Sequence, residues 1–95
     1  MHAFEWDAAK AASNLVKHGV SFEDAADALC GLTLTRSSGR GAEMRFQSLC
    51  ICAGRMIVVV WTLRGSVVRL ISARRAKQNE REQFGAALTR ATEAR

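Results

Sequence analysis

Four arginines, Arg64, Arg69, Arg74 and Arg75, fall on or beside two consecutive apolar runs, 56–63 and 67–73, and Lys77, Glu80 and Arg81 follow directly. A guanidinium is planar, permanently charged and shaped to hold a phosphate through two parallel hydrogen bonds. Arginines fixed around phosphorus bind the state that carries the most negative charge, which is the arrangement for breaking RNA by attack of its own 2′-hydroxyl on the adjacent phosphate. That reaction also needs one group to take a proton and another to give one. The side chains of suitable type are the Glu43 carboxylate and His18, whose ordinary pKa lies near neutrality.

Each candidate has a plainer reading. Arg64, Arg74 and Arg75 could be rim charges at strand ends, and Glu43 and Arg45 a surface ion pair worth little. His18 could sit at a helix C-terminus, favoured there by the dipole and close to Trp6. Lys77 and Arg81, four apart, repel on one helical face unless an anion bridges them, and are otherwise solvated surface. Trp6 and Trp61 suit the core better than a base-stacking platform.

Other chemistries are poorly served. No glycine-rich phosphate loop is present, so a nucleotide cofactor is not expected. The acids are not clustered as a metal-dependent nuclease requires, and no serine sits between nucleophile-elbow glycines. A zinc site needs about four N or S ligands, and His2 and His18 lie far from Cys50 and Cys52. Three cysteines are an odd number, and free thiols are expected.

Charge is unevenly spread. Residues 1–31 carry −3, residues 32–95 carry +8, and the whole chain +5. Ten of the fourteen basic residues lie between Arg36 and Arg81, and nine of these ten are arginines. Such an excess suits a nucleic acid or an acidic protein, or is merely a solvated surface.

The elements that must position these residues follow from period and capping. Asp7 caps a helix over about 8–17, with Trp6 and Ala11 as its hydrophobic staple and Gly19 as its stop. Ser21 caps a second helix over about 22–30, ended by Gly31. From Leu32 the period becomes that of strands. Strands are predicted at 32–35, 44–52, 56–63 and 67–73, with a flexible loop at 36–41. The third strand is apolar on both faces and therefore central. In the fourth, Arg69 stands one residue out of phase with Val68 and Leu70, so it crosses the opposite, partly open face with Val67 and Ile71. Helical period returns from Ala76, with Phe84, Ala87, Leu88 and Ala91 on one face. The expected fold is α+β: two N-terminal helices, a four-stranded antiparallel sheet and a C-terminal helix in one domain spanning 1–95. No run approaches the ~20 apolar residues of a membrane helix. The N-terminus lacks the pattern of a signal peptide, so the bacterial-type cytoplasm is the expected compartment.

Several blocks carry a resemblance. They are Phe4-Glu5-Trp6-Asp7 with Lys10, then Asn14-Leu15 with Lys17-His18-Gly19-Val20-Ser21-Phe22-Glu23 and Ala25. Glu43 with Arg45-Phe46 follows, then Val58-Val59-Val60-Trp61-Thr62 with Arg64-Gly65, and Arg69-Leu70-Ile71-Ser72-Ala73-Arg74-Arg75-Ala76. In this order they resemble the BrnT family of type II toxins over roughly residues 4–84. The resemblance implies a RelE-like fold, ribonuclease activity and a cognate BrnA-like antitoxin, whose expected dimer would give a two-plus-two complex; with arginines to neutralise the phosphate, cleavage is expected to need no metal or other cofactor. DNA would then be reached only through the antitoxin's ribbon-helix-helix part. It also implies that Arg64, Arg74, Arg75, Glu43 and His18 are the catalytic candidates and Arg45, Arg69, Lys77 and Arg81 the RNA contacts. The family pattern commonly carries Glu where this chain has Leu63. A second reading therefore stands beside the first: a non-catalytic basic module that pairs with its antitoxin and takes part in DNA-binding autoregulation.

Overall fold

The computed structural model describes residues 3–39 and 43–93. Along the chain lie β1 (Ala3–Glu5), α1 (Ala8–His18), α2 (Phe22–Leu29), β2 (Thr33–Ser37), β3 (Arg45–Cys52), β4 (Arg55–Arg64), β5 (Val67–Arg75) and α3 (Gln78–Glu93). The helix starts are built as their residues dictate. The Asp7 carboxylate accepts from the Lys10 N–H at 3.0 Å, and the Ser21 hydroxyl accepts from the Asp24 N–H at 3.1 Å. Gly19 ends α1 in the left-handed region at φ 71°, returning its N–H to the Leu15 carbonyl.

The strands form one sheet in the order β1-β5-β4-β3-β2. This corrects the four-stranded antiparallel expectation: β1 is a fifth strand, and it pairs with β5 in parallel. Three residues ahead of a helix cap carry too little alternation to show as a strand, and their partner lies beyond both helices and three strands. The other four strands are antiparallel, with β4 central. Strand β2 also runs further than expected and takes in Arg36 and Ser37, and Ser38 donates its N–H to the Arg45 carbonyl at 2.7 Å; residues 40 and 41 of the predicted loop lie outside the described residues.

One face of the sheet presents Cys50, Ile57, Val59, Val68, Leu70 and Ala73 to Phe22, Ala25, Ala26 and Ala28 of α2. Trp6 meets Phe22 edge-on, with centroids 6.0 Å apart, and Trp61 stacks on Phe46 at 4.5 Å. Both tryptophans pack against this core, as their size favours. On the other face α3 covers only one end, where Phe84 and Ala76 meet Leu49 and Val58. The remainder of that face is open.

Two details decide where side chains point. The register of β4 and β5 shifts between Val60↔Ser72 and Trp61↔Leu70, leaving Ile71 as an extra residue. Leu70 and Ala73 therefore share the core face, and Arg69 and Arg74 share the other. The second detail is Asn14, buried in α1. Its amide nitrogen donates to the carbonyls of Ala73 (2.8 Å) and Val20 (3.1 Å), and its oxygen accepts from the Ala73 N–H at 3.2 Å. One carboxamide thus stands in for a neighbouring strand where β5 runs past β1, and it ties α1 to the sheet.

Candidate nucleic-acid interface and active site

The open face has a row running Glu5, Arg69, Thr62, Arg45 across four strands. Adjacent strands lie about 4.8 Å apart, so the backbones of Arg69 and Arg45 are roughly 10 Å apart with Thr62 between them. Thr62 is buried, and its hydroxyl donates to the Met44 carbonyl, which holds the segment before β3 against β4. Arg64 lies two residues further along β4, about 7 Å away on the same face. It closes the β4–β5 hairpin, where Gly65 takes φ 60°. Arg64 shares a shallow depression with Glu43, Met44 and Thr62.

These cations are held to different degrees. Arg69 donates to Glu5 at 2.6 Å, with side chains 26% and 40% exposed. Arg45 stands 3.6 Å from Glu43, with both about half exposed, a contact worth well under ~1 kcal/mol. Arg64 is exposed and makes no ion pair among the described residues. Arg64 is thus free to engage a ligand and Glu43 is held only by its loose contact with Arg45, while Arg45 and Arg69 stand on either side of Thr62.

The far end of the same face is a different environment. Arg74, paired with Val58 in the register, lies six residues of β4 from Arg64, about 20 Å. Its guanidinium is already engaged. It donates to both oxygens of Glu80, at 2.8 and 2.9 Å, and to the Arg75 carbonyl at 3.2 Å. Glu80 also accepts the Lys77 N–H at 2.8 Å, a capping-box contact at the start of α3, and Arg81 reaches back to the Ala76 carbonyl at 2.8 Å. Together these bonds weld α3 to the end of β5. The Arg74 hydrogen bonds hold the Glu80 carboxyl far below its ordinary 4.5, at about 2, and in turn raise Arg74.

Two candidates lie across the sheet. Arg75 pairs with Ile57 and faces the helix layer beside Gly19, Val20, Asp24 and Arg55. His18 ends α1 in that same layer, half-buried. Leu63 also points to the helix side, 50% exposed next to Trp61 and Val68. Cys50 and Cys52 face α2 as free thiols, and burial pushes Cys50 up to about 11 and raises Cys52.

The sequence candidates therefore fall into three places. Glu43, Arg45, Arg64 and Arg69 come together; Arg74, Lys77 and Arg81 gather at α3; Arg75 and His18 occupy the opposite face. Sequence reasoning did not single out Thr62 as the centre of the first group, Glu5 as the partner of Arg69, or Glu80 as the partner of Arg74. For Glu80 a signal existed, since an acid three residues into a helix is the capping-box position. Among the described residues no three His, Cys, Asp or Glu side chains cluster as metal ligands, and no helix is long and apolar enough to cross a membrane.

Arg45, Arg64 and Arg69, with Glu43 among them, share an open sheet face, and an excess of positive charge in that arrangement suits a polyanion. No curated protein matches the chain. The model of one family, described as the ribonuclease toxin BrnT of a type II toxin–antitoxin system, matches residues 6–80. That stretch takes in every element from the cap of α1 to the Glu80 clamp, and membership brings with it an RNA target and a protein antitoxin. The chain belongs to the BrnT family of ribonuclease toxins.

Proposed function

We propose that the face bearing Glu43, Arg45, Arg64 and Arg69 binds RNA and cleaves it without a divalent metal. The 2′-hydroxyl attacks the adjacent phosphorus, the bond to the 5′-oxygen breaks, and a 2′,3′-cyclic phosphate and a 5′-hydroxyl result. Glu43 takes the proton of the 2′-hydroxyl, and a proton from solvent reaches the leaving oxygen. Arg64 holds the nonbridging oxygens, whose charge grows as the new bond forms, and this preference for the crowded state lowers the barrier. Arg45 and Arg69 hold flanking phosphates, and Lys77 and Arg81 extend the basic rim towards α3. The supporting observation is that Glu43 and Arg64 line one depression with the other two arginines alongside. Arg74 takes part by holding α3 in place; Arg75 and His18, on the opposite face, have no part in the step.

The partner that restrains this face is a BrnA-like antitoxin in the bacterial cytoplasm. A dimeric ribbon-helix-helix antitoxin would seat one toxin on each half, a two-plus-two assembly that reaches DNA through the antitoxin. Light scattering of the co-expressed pair tests this, and a one-to-one particle at micromolar concentration would overturn the assembly. The second reading, a non-catalytic partner of the antitoxin, is favoured by one observation: Leu63 is an exposed apolar residue beside the depression that Glu43 and Arg64 line. Cleavage of a labelled RNA in the presence of EDTA decides. Persistence of cleavage in wild type and its loss in Arg64→Ala support attack by the 2′-hydroxyl with Arg64 on the phosphate. Arrest by EDTA would replace it with a metal mechanism.

A further inference from the structure

Beside the α3 end of the open face lies a cavity of about 180 Å³ that RNA cleavage at Glu43 and Arg64 leaves unused. Its floor is the row Leu34, Leu49 and Val58, and its walls include Arg36, Gln47 and Glu80. An apolar floor with a few polar groups at the rim suits a flat heterocycle. A phosphate does not belong there, because the Glu80 carboxylate would repel it. The Arg36 fork is already closed on one carbonyl oxygen: Nε and Nη2 both donate to Gln47 Oε1, at 3.3 and 3.1 Å. Gln47 lies two residues from Arg45 on the same strand and face, about 7 Å along β3. A nucleotide whose phosphate rests on Arg45 would reach the cavity with its base.

We propose that this cavity is a base-reading subsite and that the base it takes is guanine. The inference rests on the reading of the open face as an RNA site. Guanine presents two adjacent acceptors, O6 and N7, which match the paired donors of an arginine fork, and it would take over the fork that Gln47 now fills. The base stacks on Leu34 and Val58, and a ring N–H or amino group donates to Glu80. Arg74 and Lys77 leave that carboxylate ionised and with accepting capacity to spare. In this scheme the arginines around Thr62 supply affinity without sequence preference, and Arg36 supplies the preference.

The test is fluorescence anisotropy with short 2′-O-methyl oligouridines, which cannot be cleaved, carrying a single G, A or C or none. Wild type is expected to bind the G-containing oligomer about tenfold tighter than the others. Arg36→Ala, and Leu34→Trp, which fills the cavity from the half-exposed end of its floor, should remove that preference and leave the salt dependence of binding unchanged. Equal binding of all four oligomers with normal salt dependence overturns the subsite and leaves the RNA face standing. A guanine preference that survives both variants, or a preference for another base, also overturns it. Failure of every oligomer to bind at low salt brings down the RNA reading and the subsite together.

Discussion

The Glu80 carboxylate is the point at which α3 is fixed to the sheet, and its removal has a magnitude that can be worked out. Glu80 is 8% exposed and takes two hydrogen bonds from Arg74 and one from the Lys77 N–H. Folding lowers its pKa from 4.5 to about 2. At 1.36 kcal/mol per pKa unit, ionised Glu80 contributes about 3 kcal/mol to the folded state. A depressed carboxylate stabilises the fold fully above its unfolded pKa and loses that contribution as pH falls towards the folded one. The gap between wild type and Glu80→Gln should therefore be about 3 kcal/mol at pH 7. It should shrink below pH 4.5 and reach roughly 1.4 kcal/mol at pH 3. Urea denaturation of both proteins between pH 3 and 7 measures it directly. A gap below ~0.5 kcal/mol at neutral pH, or one that stays constant down to pH 3, would refute the reasoning. The same clamp bears on Arg74: Arg74→Ala strips a buried carboxylate of its partner, so a fall in activity in that variant must be compared at equal folded fraction.

The remaining expectations are simpler. Arg64→Ala should slow RNA cleavage about 10²–10³-fold and leave the unfolding free energy in urea within ~0.5 kcal/mol of wild type, because the residue is exposed; an unchanged initial rate would place the chemistry elsewhere. Leu63→Glu restores a carboxylate beside the Glu43–Arg64 depression and should raise the cleavage rate, measured on the same labelled RNA; no gain would count against a proton-transfer role for that position. Asn14→Leu leaves the Ala73 N–H and two carbonyls without their partner and should cost about 2–3 kcal/mol in thermal unfolding. A loss under ~1 kcal/mol would mean that water satisfies those groups.

Local chemistry was legible in the residues. Asp7, Gly19 and Ser21 announce the helix ends, and the unbroken apolar run of β4 announces the centre of the sheet. The out-of-phase position of Arg69 correctly placed it on the face away from Val68 and Leu70. What alternation could not carry was the extra residue at Ile71. Counting by twos along β5 puts Arg69 and Arg74 on opposite faces, whereas the bulge returns Arg74 to the side of Arg69 and sends Ala73 into the core. The candidate site suffered from a related limit. Arg64 and Arg74 sit ten residues apart in the chain, but the hairpin sends them to opposite ends of the sheet. Glu43 and Arg64, twenty-one apart, meet because Arg45 pairs with Thr62. Register is a property of two strands at once, and neither strand displays it alone. Partners such as Glu5 for Arg69 were hidden for the same reason, since β1 is too short to reveal its own pairing.

The amide of Asn14 has a consequence beyond fastening a helix. A strand that runs past its neighbour presents a row of free N–H and C=O groups, an invitation for another chain to add itself. On the β5 side this invitation is withdrawn by two devices, three residues of β1 and then a single carboxamide at Ala73. The longer outer border left unpaired is β2, five residues that carry the Arg36 charge. Self-association by strand addition is thereby steered to one side of the molecule, and there it meets a cation that resists stacking against its own kind. Loss of the Asn14 amide would do more than loosen α1. It would reopen a second border next to the apolar core, and such a variant should become sticky before it becomes unfolded.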